Sequence, residues 1–474
     1  MVTKRLNICI AIALLAMFVA GCATFSEDRG FSAVEATVRD RLGKETKQLR
    51  SEEEIESAAQ MVRKLLQAPL SVDDAEQIAL LNNRGIQATY AELGIAEADL
   101  VQAGRMTNPH FAFLRTQRGD ERKLEWALTF PIIDLLTMSL RTKIEGRRFE
   151  ETKLAVAGRV LELAYDTRRT YFQAVAAEEL VRYLEQVKSA AEASAELARR
   201  MARAGNFSRL TQMREQVFYA ETVVQLAQAQ RAATAQRERL TQLMGLFGED
   251  TRFRLAERLP DLPGEPPAWT DLEAMAIAQR LDIQALKLQT ESLAASLGLT
   301  RATRFINVLE IGPARTKEDP EPWKRGYEIS LQLPIFDWGA ARAGKAEELY
   351  MQSLHRVAEL ATNARSEVRD AYAGSRTAWE TTKHYRDEIV PLRKKIGDEN
   401  LLRYNGMLIS VFELLADARE QVASVIAYIG SLRDFWLSET DLRAAVNGAA
   451  GGGRSRSGAP AGGRMIPNPA LAGH

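Results

Sequence analysis

The side chains that most often carry chemistry are sparse in this 474-residue chain. Its four histidines, His110, His355, His384 and His474, lie far apart and show none of the short spacings of a metal site. No glycine loop follows a buried strand and no nucleophile elbow is present. Three features remain. Cys22 carries a thiol directly after Val19-Ala20-Gly21; Asp134 and Asp337 each follow a proline by three residues; and Glu413 and Asp417 stand four apart on one helical face. An aspartate repeated just after a proline is suited to capping a helix rather than to acting as a general base. The reading is therefore not an enzyme, with no cofactor, no metal and no nucleic acid partner. Lys plus Arg and Asp plus Glu balance at 63 each, so no strong field favours a polyanion.

The two aspartates belong to two copies of one junction. Leu331-Gln332-Leu333-Pro334-Ile335-Phe336-Asp337-Trp338-Gly339 has its partner in Trp126-Ala127-Leu128-Thr129-Phe130-Pro131-Ile132-Ile133-Asp134-Leu135, with Pro131 and Asp134 matching Pro334 and Asp337 at an offset of 203. Before each proline the residues alternate as in a strand with one apolar and one polar face: Leu124, Trp126, Leu128 and Phe130 against Glu125, Ala127 and Thr129, then Ile329, Leu331 and Leu333 against Glu328, Ser330 and Gln332. After each proline the composition turns to long runs of helix formers. Pro334 ends its strand for want of a donor, and Asp337 is placed to cap the helix that follows. Gly85-Ile86-Gln87-Ala88 against Asp282-Ile283-Gln284-Ala285 carries the repeat beyond the junction, so most of the chain is an internal duplication.

In chain order, Lys4 and Arg5 precede an apolar run too short to span a bilayer, ending at Cys22. The similarity to bacterial lipoproteins implies cleavage before Cys22 and lipidation there, and Ala23 at the next position favours the outer membrane. With Cys9 removed, no disulfide framework is possible. Residues 1–21 read as the signal peptide and 22–69 as a lipidated helical segment whose Ser51-Glu52-Glu53-Glu54 opens a helix with a solvated acidic run. Residues 70–268 and 269–446 are the two repeats, and 447–474 is a glycine-rich disordered tail. Each repeat predicts a helical stretch (71–105 in the first), a strand pair (110–114 with 124–130, then 305–311 with 327–333) and a long helical hairpin. The first hairpin runs out over 137–204 and back over 209–244, an outgoing arm of roughly 100 Å. Pro391 is expected to kink the second.

The hairpin tips are Gly205-Asn206-Phe207 and Gly406-Met407-Leu408, where glycine and asparagine reverse the chain and apolar side chains lie exposed. Trp323, Tyr327, Phe336 and Trp338 sit near strand ends, as an interfacial aromatic belt requires. Four strands cannot close a barrel, and open edges cannot face lipid, so several chains must share one.

The lipobox, duplicated strand pairs and hairpins, the Leu-Pro-Ile-Phe-Asp-Trp-Gly junction and the glycine-bearing tips together resemble the TolC-type outer-membrane efflux factors, especially their lipidated branch. The resemblance covers roughly residues 70–446. It implies a mainly α protein with membrane β: a homotrimer with a twelve-stranded outer-membrane barrel, continued into the periplasm by a coiled-coil tunnel. As the channel of a tripartite efflux system it would meet a periplasmic adaptor at the tips and serve an inner-membrane pump. Glu413 and Asp417 are candidates for a carboxylate ring at the narrow end. The competing reading is a periplasmic coiled-coil adaptor or scaffold lipoprotein without a barrel. The transported substrate is not written in the residues.

Overall fold

The computed structural model describes residues 24–265 and 271–449. The chain is mainly helical. Two helices, α1 (Phe31–Leu42) and α2 (Glu52–Leu65), precede the first repeat. Ser51 and Glu54 close a capping box on α2, so the last residue of the acidic run caps the helix rather than only facing water.

The first repeat then runs α3 (Val72–Asn82), α4 (Arg84–Ala103), β1 (His110–Arg118), β2 (Glu121–Pro131), α5 (Ile132–Arg203) and α6 (Arg209–Met244). The second runs α7 (Leu272–Gln279), α8 (Leu281–Ala302), β3 (Leu309–Glu318), β4 (Lys324–Leu331), α9 (Ala340–His384), α10 (Val390–Asn405) and α11 (Val411–Asn447), with a π-turn at Tyr385–Ile389 between α9 and α10. Pro391 cannot donate to the turn before it, and the helix widens there.

The duplication is visible in backbone angles. The stretch expected as one helix over 71–105 is broken at Asn83, which is extended (φ −67°, ψ 116°), and Arg280 breaks the second copy in the same conformation (φ −60°, ψ 121°). Each break is clasped to the end of its own hairpin. Asn82 Nδ2 donates to the carbonyls of Met244 and Gly245, and Asn83 Nδ2 to that of Leu243. Arg280 donates to the carbonyl of Ala445 and is neutralised by Asp282 and Glu367. The hairpins end in left-handed Gly245 (φ 65°) and Gly448 (φ 74°), again 203 apart. A Cβ on Gly245 would meet the Asn82 carbonyl oxygen at 2.8 Å, so the clasp demands glycine.

The core sits where helices of both repeats converge. Phe172, Phe435, Leu240, Met244 and Ile78 are fully buried in one cluster, with Trp436 stacked on Phe172 at 5.2 Å. A second cluster holds Tyr90, Leu93, Val160 and Leu161 against Val34 and Val38 of α1. Helix α5 packs on α6 and α11, and α11 on α9 and α10, which lays the two hairpins side by side.

Candidate functional site: the sheet, the tips and the open edges

The four strands form one antiparallel sheet in the order β1-β2-β3-β4. At 9, 11, 10 and 8 residues they are longer than the side-chain alternation predicts, and approach the length of a tilted membrane strand. The loops expected over 115–122 and 312–326 are largely strand. Only the tight turn at Gly119 (φ 58°) and residues 319–323 reverse the chain. Gly312 lies within β3, and only glycine fits there because a Cβ would fall 1.8 Å from the Leu128 carbonyl oxygen.

Register assigns the faces. Phe111 lies opposite Leu128, Phe113 opposite Trp126, Phe130 opposite Ile311, Ile311 opposite Ile329, and Leu309 opposite Leu331, which makes one side apolar toward the helices; nearer the β1–β2 turn the same side carries Arg115 opposite Leu124 and Arg315 opposite Trp126. The other side carries Glu125 opposite Thr316, Glu310 opposite Ser330 and Glu328 across from Gly312. On this polar side Glu310 accepts from Thr129 Oγ1 at 2.7 Å and pairs with His110 Nδ1 at 2.9 Å, tying three strands together. That link joins residues far apart in sequence, so the isolated histidine gave no sign of it. Gln332 lies one residue past β4 and is not part of the sheet. Every residue of β1 and β4 is exposed, and among the described residues neither strand has a partner on its outer edge.

The two junctions differ from the expected caps. Pro131 is both the last residue of β2 and the N-cap of α5, so the helix begins at Ile132 rather than near 137. Asp134 stands in the first turn of α5, where its charge complements the helix dipole; it accepts from Thr107 Oγ1 at 2.6 Å and faces Arg141. In the second copy β4 stops at Leu331, three residues before Pro334, and residues 332–339 form a loop. Asp337 accepts from the backbone N–H of Gly339 at 2.8 Å, and the left-handed Gly339 is the N-cap of α9. Asp337 therefore shapes the turn before the helix and does not cap it.

Both hairpin tips close by the same hydrogen bonds. Asn206 N–H donates to the Met201 carbonyl and Gly205 N–H to that of Ala202; Leu408 N–H donates to Arg403 and Met407 N–H to Tyr404. The left-handed residue is Gly205 (φ 77°) in the first tip but Met407 (φ 60°) in the second, with Gly406 at an ordinary φ of −79°. The reversal placed on Gly406 thus falls on its neighbour. Met407 is 93% and Leu408 77% exposed. Ser208 and Ser410 cap the returning helices.

Glu413 is the third residue of α11 and stays exposed, whereas Asp417 is half-buried with one carboxylate oxygen shielded beside Gly397 of α10. The two do not share an environment. Deeper in the wall, Arg419 of α11 pairs with the fully buried Glu215 of α6 at 2.5 Å, and Ser194 of α5 donates to the other carboxylate oxygen at 2.9 Å. The Arg419 guanidinium also lies 4.7 Å from the Phe218 ring centroid. This cluster binds the two hairpins together beside an apolar groove of about 250 Å³. Nearer the sheet, burial pushes Glu151 up to about 7. Among the described residues no group of three or more His, Cys, Asp or Glu side chains is placed to hold a metal ion, and no helix is long and apolar enough to cross a membrane. Cys22 and the residues beyond 449 lie outside the described residues.

The wall of helices has open sides, as the sheet does. On α6, Leu210, Met213, Val217 and Val224 are exposed at three-, four- and seven-residue steps, and on α10 Leu392 and Ile396 are exposed one turn apart. An amphipathic membrane-type sheet joined to helical hairpins of this length defines a protein of the barrel-and-tunnel class. Residues 75–246 match the family model described as outer membrane efflux protein. The chain is 22% identical over 386 residues to the cobalt-zinc-cadmium resistance protein CzcC of Cupriavidus metallidurans, covering 79% of this chain and 89% of that one. Among solved structures it is similar to the open state of the MtrE outer membrane channel of Neisseria gonorrhoeae (TM-score 0.65, 16% identity, 80% of this chain and 89% of that one). It is also similar to the outer membrane protein VceC of Vibrio cholerae (TM-score 0.66, 13% identity, 80% and 96%). These likenesses give the chain the fold of outer-membrane efflux channels, with a family match confined to residues 75–246.

Proposed function

We propose that the chain is the outer-membrane exit duct of a tripartite efflux system, assembled as a homotrimer, anchored in part through a lipid on Cys22, and docked to a periplasmic adaptor through its hairpin tips. The observation that carries this reading is the pair of open edges. A four-stranded sheet with one apolar face and two unpaired edges is not stable in lipid by itself. Three copies supply twelve strands and an interior wide enough for a lumen, whereas two would fill theirs with side chains. The same closure covers the apolar stripes on α6 and α10. The polar sheet face with Glu125, Thr129, Glu310 and Glu328 then lines water.

The exposed Met407 and Leu408, with the half-buried Phe207 of the other tip, give an adaptor an apolar footing at the far end, with Gly205, Asn206 and Gly406 shaping the turns beneath them. Glu413, exposed at the same end, is the carboxylate proposed to face the narrow opening; Asp417 lies back against α10 and would contribute charge only if that seam parted. Cargo is set by the pump, and the similarity to a protein named for cobalt, zinc and cadmium resistance makes divalent cations the first to test. A strain that keeps the associated pump and adaptor but lacks this chain should accumulate the pump's substrates and regain export on complementation. Undiminished export without it would overturn the assignment.

A further inference from the structure

The loop between β4 and α9 carries side chains that its own protomer does not cover. Phe336 is 99% exposed, and Leu333, Ile335 and Trp338 are each more than 60% exposed. At the opposite edge of the sheet, where the chain enters β1, Met106, Thr107, Phe130, Pro131, Ile132 and Leu135 surround a shallow apolar recess.

Topology brings these two places together. Strand β4 ends at the helical side of the sheet and β1 begins there. When the sheet closes on further copies with neighbouring strands antiparallel, as all three pairs within the protomer are, the foot of β4 lies beside the foot of the next copy's β1. The protomer already contains the internal equivalent of this seam, between β2 and β3. There the chain leaving β2 enters α5 directly, and α5 packs against β3. By the offset of 203, Phe336 corresponds to Ile133 in that first turn of α5.

The duplication also explains why the recess is vacant in one copy of the unit and not in the other. Phe305 and Met106 each lie three residues past the end of the preceding helix, α8 or α4. Trp338 corresponds to Leu135 at the offset of 203. In the second copy Phe305 and Trp338 meet edge to face at 6.2 Å, with the Arg304 guanidinium 4.1 Å from the Phe305 ring centroid. The first copy has the smaller Met106 and Leu135 in their places and keeps an opening between them.

We propose that Phe336 of one copy seats in the Met106–Leu135 recess of the next, an aromatic plug that locks the β4-to-β1 seam where barrel meets tunnel. This rests on the shared-barrel reading. Phe336 is then not a bystander of the aromatic belt: its ring is withdrawn from lipid and water into a neighbouring chain.

The native cysteines, Cys9 and Cys22, both lie in the first 22 residues, so engineered thiols have little background. In the full chain carrying Met106→Cys and Phe336→Cys, mild oxidation of the assembled protein should give covalent dimers and trimers on a non-reducing gel, because a disulfide needs Cα atoms within about 7 Å. Either single variant should give no such ladder. Trimers that form normally but do not cross-link would overturn the plug and leave the shared barrel standing; a wild-type chain that does not assemble at all would overturn the shared barrel itself. A second variant covers the case in which the double substitution fails to assemble. Phe336→Ser should lower the temperature at which trimers dissociate while each chain keeps its helical content, and Phe336→Leu should restore part of the loss. Unchanged dissociation in Phe336→Ser would overturn the plug.

Discussion

Met407 holds a backbone conformation that glycine holds at the equivalent point of the first hairpin, and its side chain is nearly free of contacts in its own chain. For a residue with a Cβ that conformation costs roughly 1–2 kcal/mol. Met407→Gly should therefore protect the tip: amide exchange of the residues around 403–408 should slow about fivefold or more, while adaptor binding weakens for loss of the side chain. Faster exchange would show that Met407 makes stabilising contacts that offset the strain. Arg419 offers the opposite case. Removing its charge leaves Glu215 buried with only the Ser194 hydroxyl as partner, and unpairing a buried charge costs about 3–5 kcal/mol. Arg419 keeps 29% of its side-chain exposure, so Arg419→Met should fall near the lower end. Thermal melting that does not move would show that the pair contributes nothing to joining the hairpins. Met407 stood out in the sequence as an exposed tip residue but not as the one that turns the chain, and Arg419 did not stand out at all. Glu215 and Arg419 are 204 positions apart, and a left-handed methionine beside a glycine reads as if the glycine made the turn.

At the scale of elements, the alternation of Leu124, Trp126, Leu128 and Phe130 marked the apolar core of β2, and the register confirms which face it lies on. Strand ends were not legible, because Arg115 to Arg118, Glu121 to Lys123 and Lys317 to Glu318 are charged and look like loop. Backbone pairing continues through them once the side chains have passed the apolar band. Asn83 was hidden for a different reason: the helical pattern is uninterrupted on both sides, and only the Asn82 and Asn83 contacts to the end of α6 explain the break. The face assignment has a direct test. Leu331→Arg places a charge on the apolar face and should destabilise the assembled barrel by roughly 2–4 kcal/mol if that position lies near the bilayer midplane, while Ser330→Arg, on the polar face, should assemble nearly as wild type. The reverse order, read from the yield of heat-resistant oligomer, would mean that the faces are exchanged.

For the whole molecule, the duplication was legible because it recurs in short, distinctive stretches, and it fixed the plan of two strand pairs and two hairpins. What the sequence concealed is the difference between the copies. Pro131 leads straight into α5, while Pro334 lies in a loop that leaves Phe336 outside its own chain. The anchoring proposal belongs at this scale too. A barrel buries far more apolar surface than acyl chains do, so Cys22→Ser, exported behind a conventional cleavable signal, should still fractionate with outer membrane. A fully soluble product would mean that lipid alone holds the protein. Whether several copies enclose a water-filled duct is decided by planar-bilayer recording of the detergent-purified full chain. Fractions with the mass of three copies should produce discrete, ohmic current steps, and fractions of single copies should produce none; a three-copy fraction that never conducts would contradict the account.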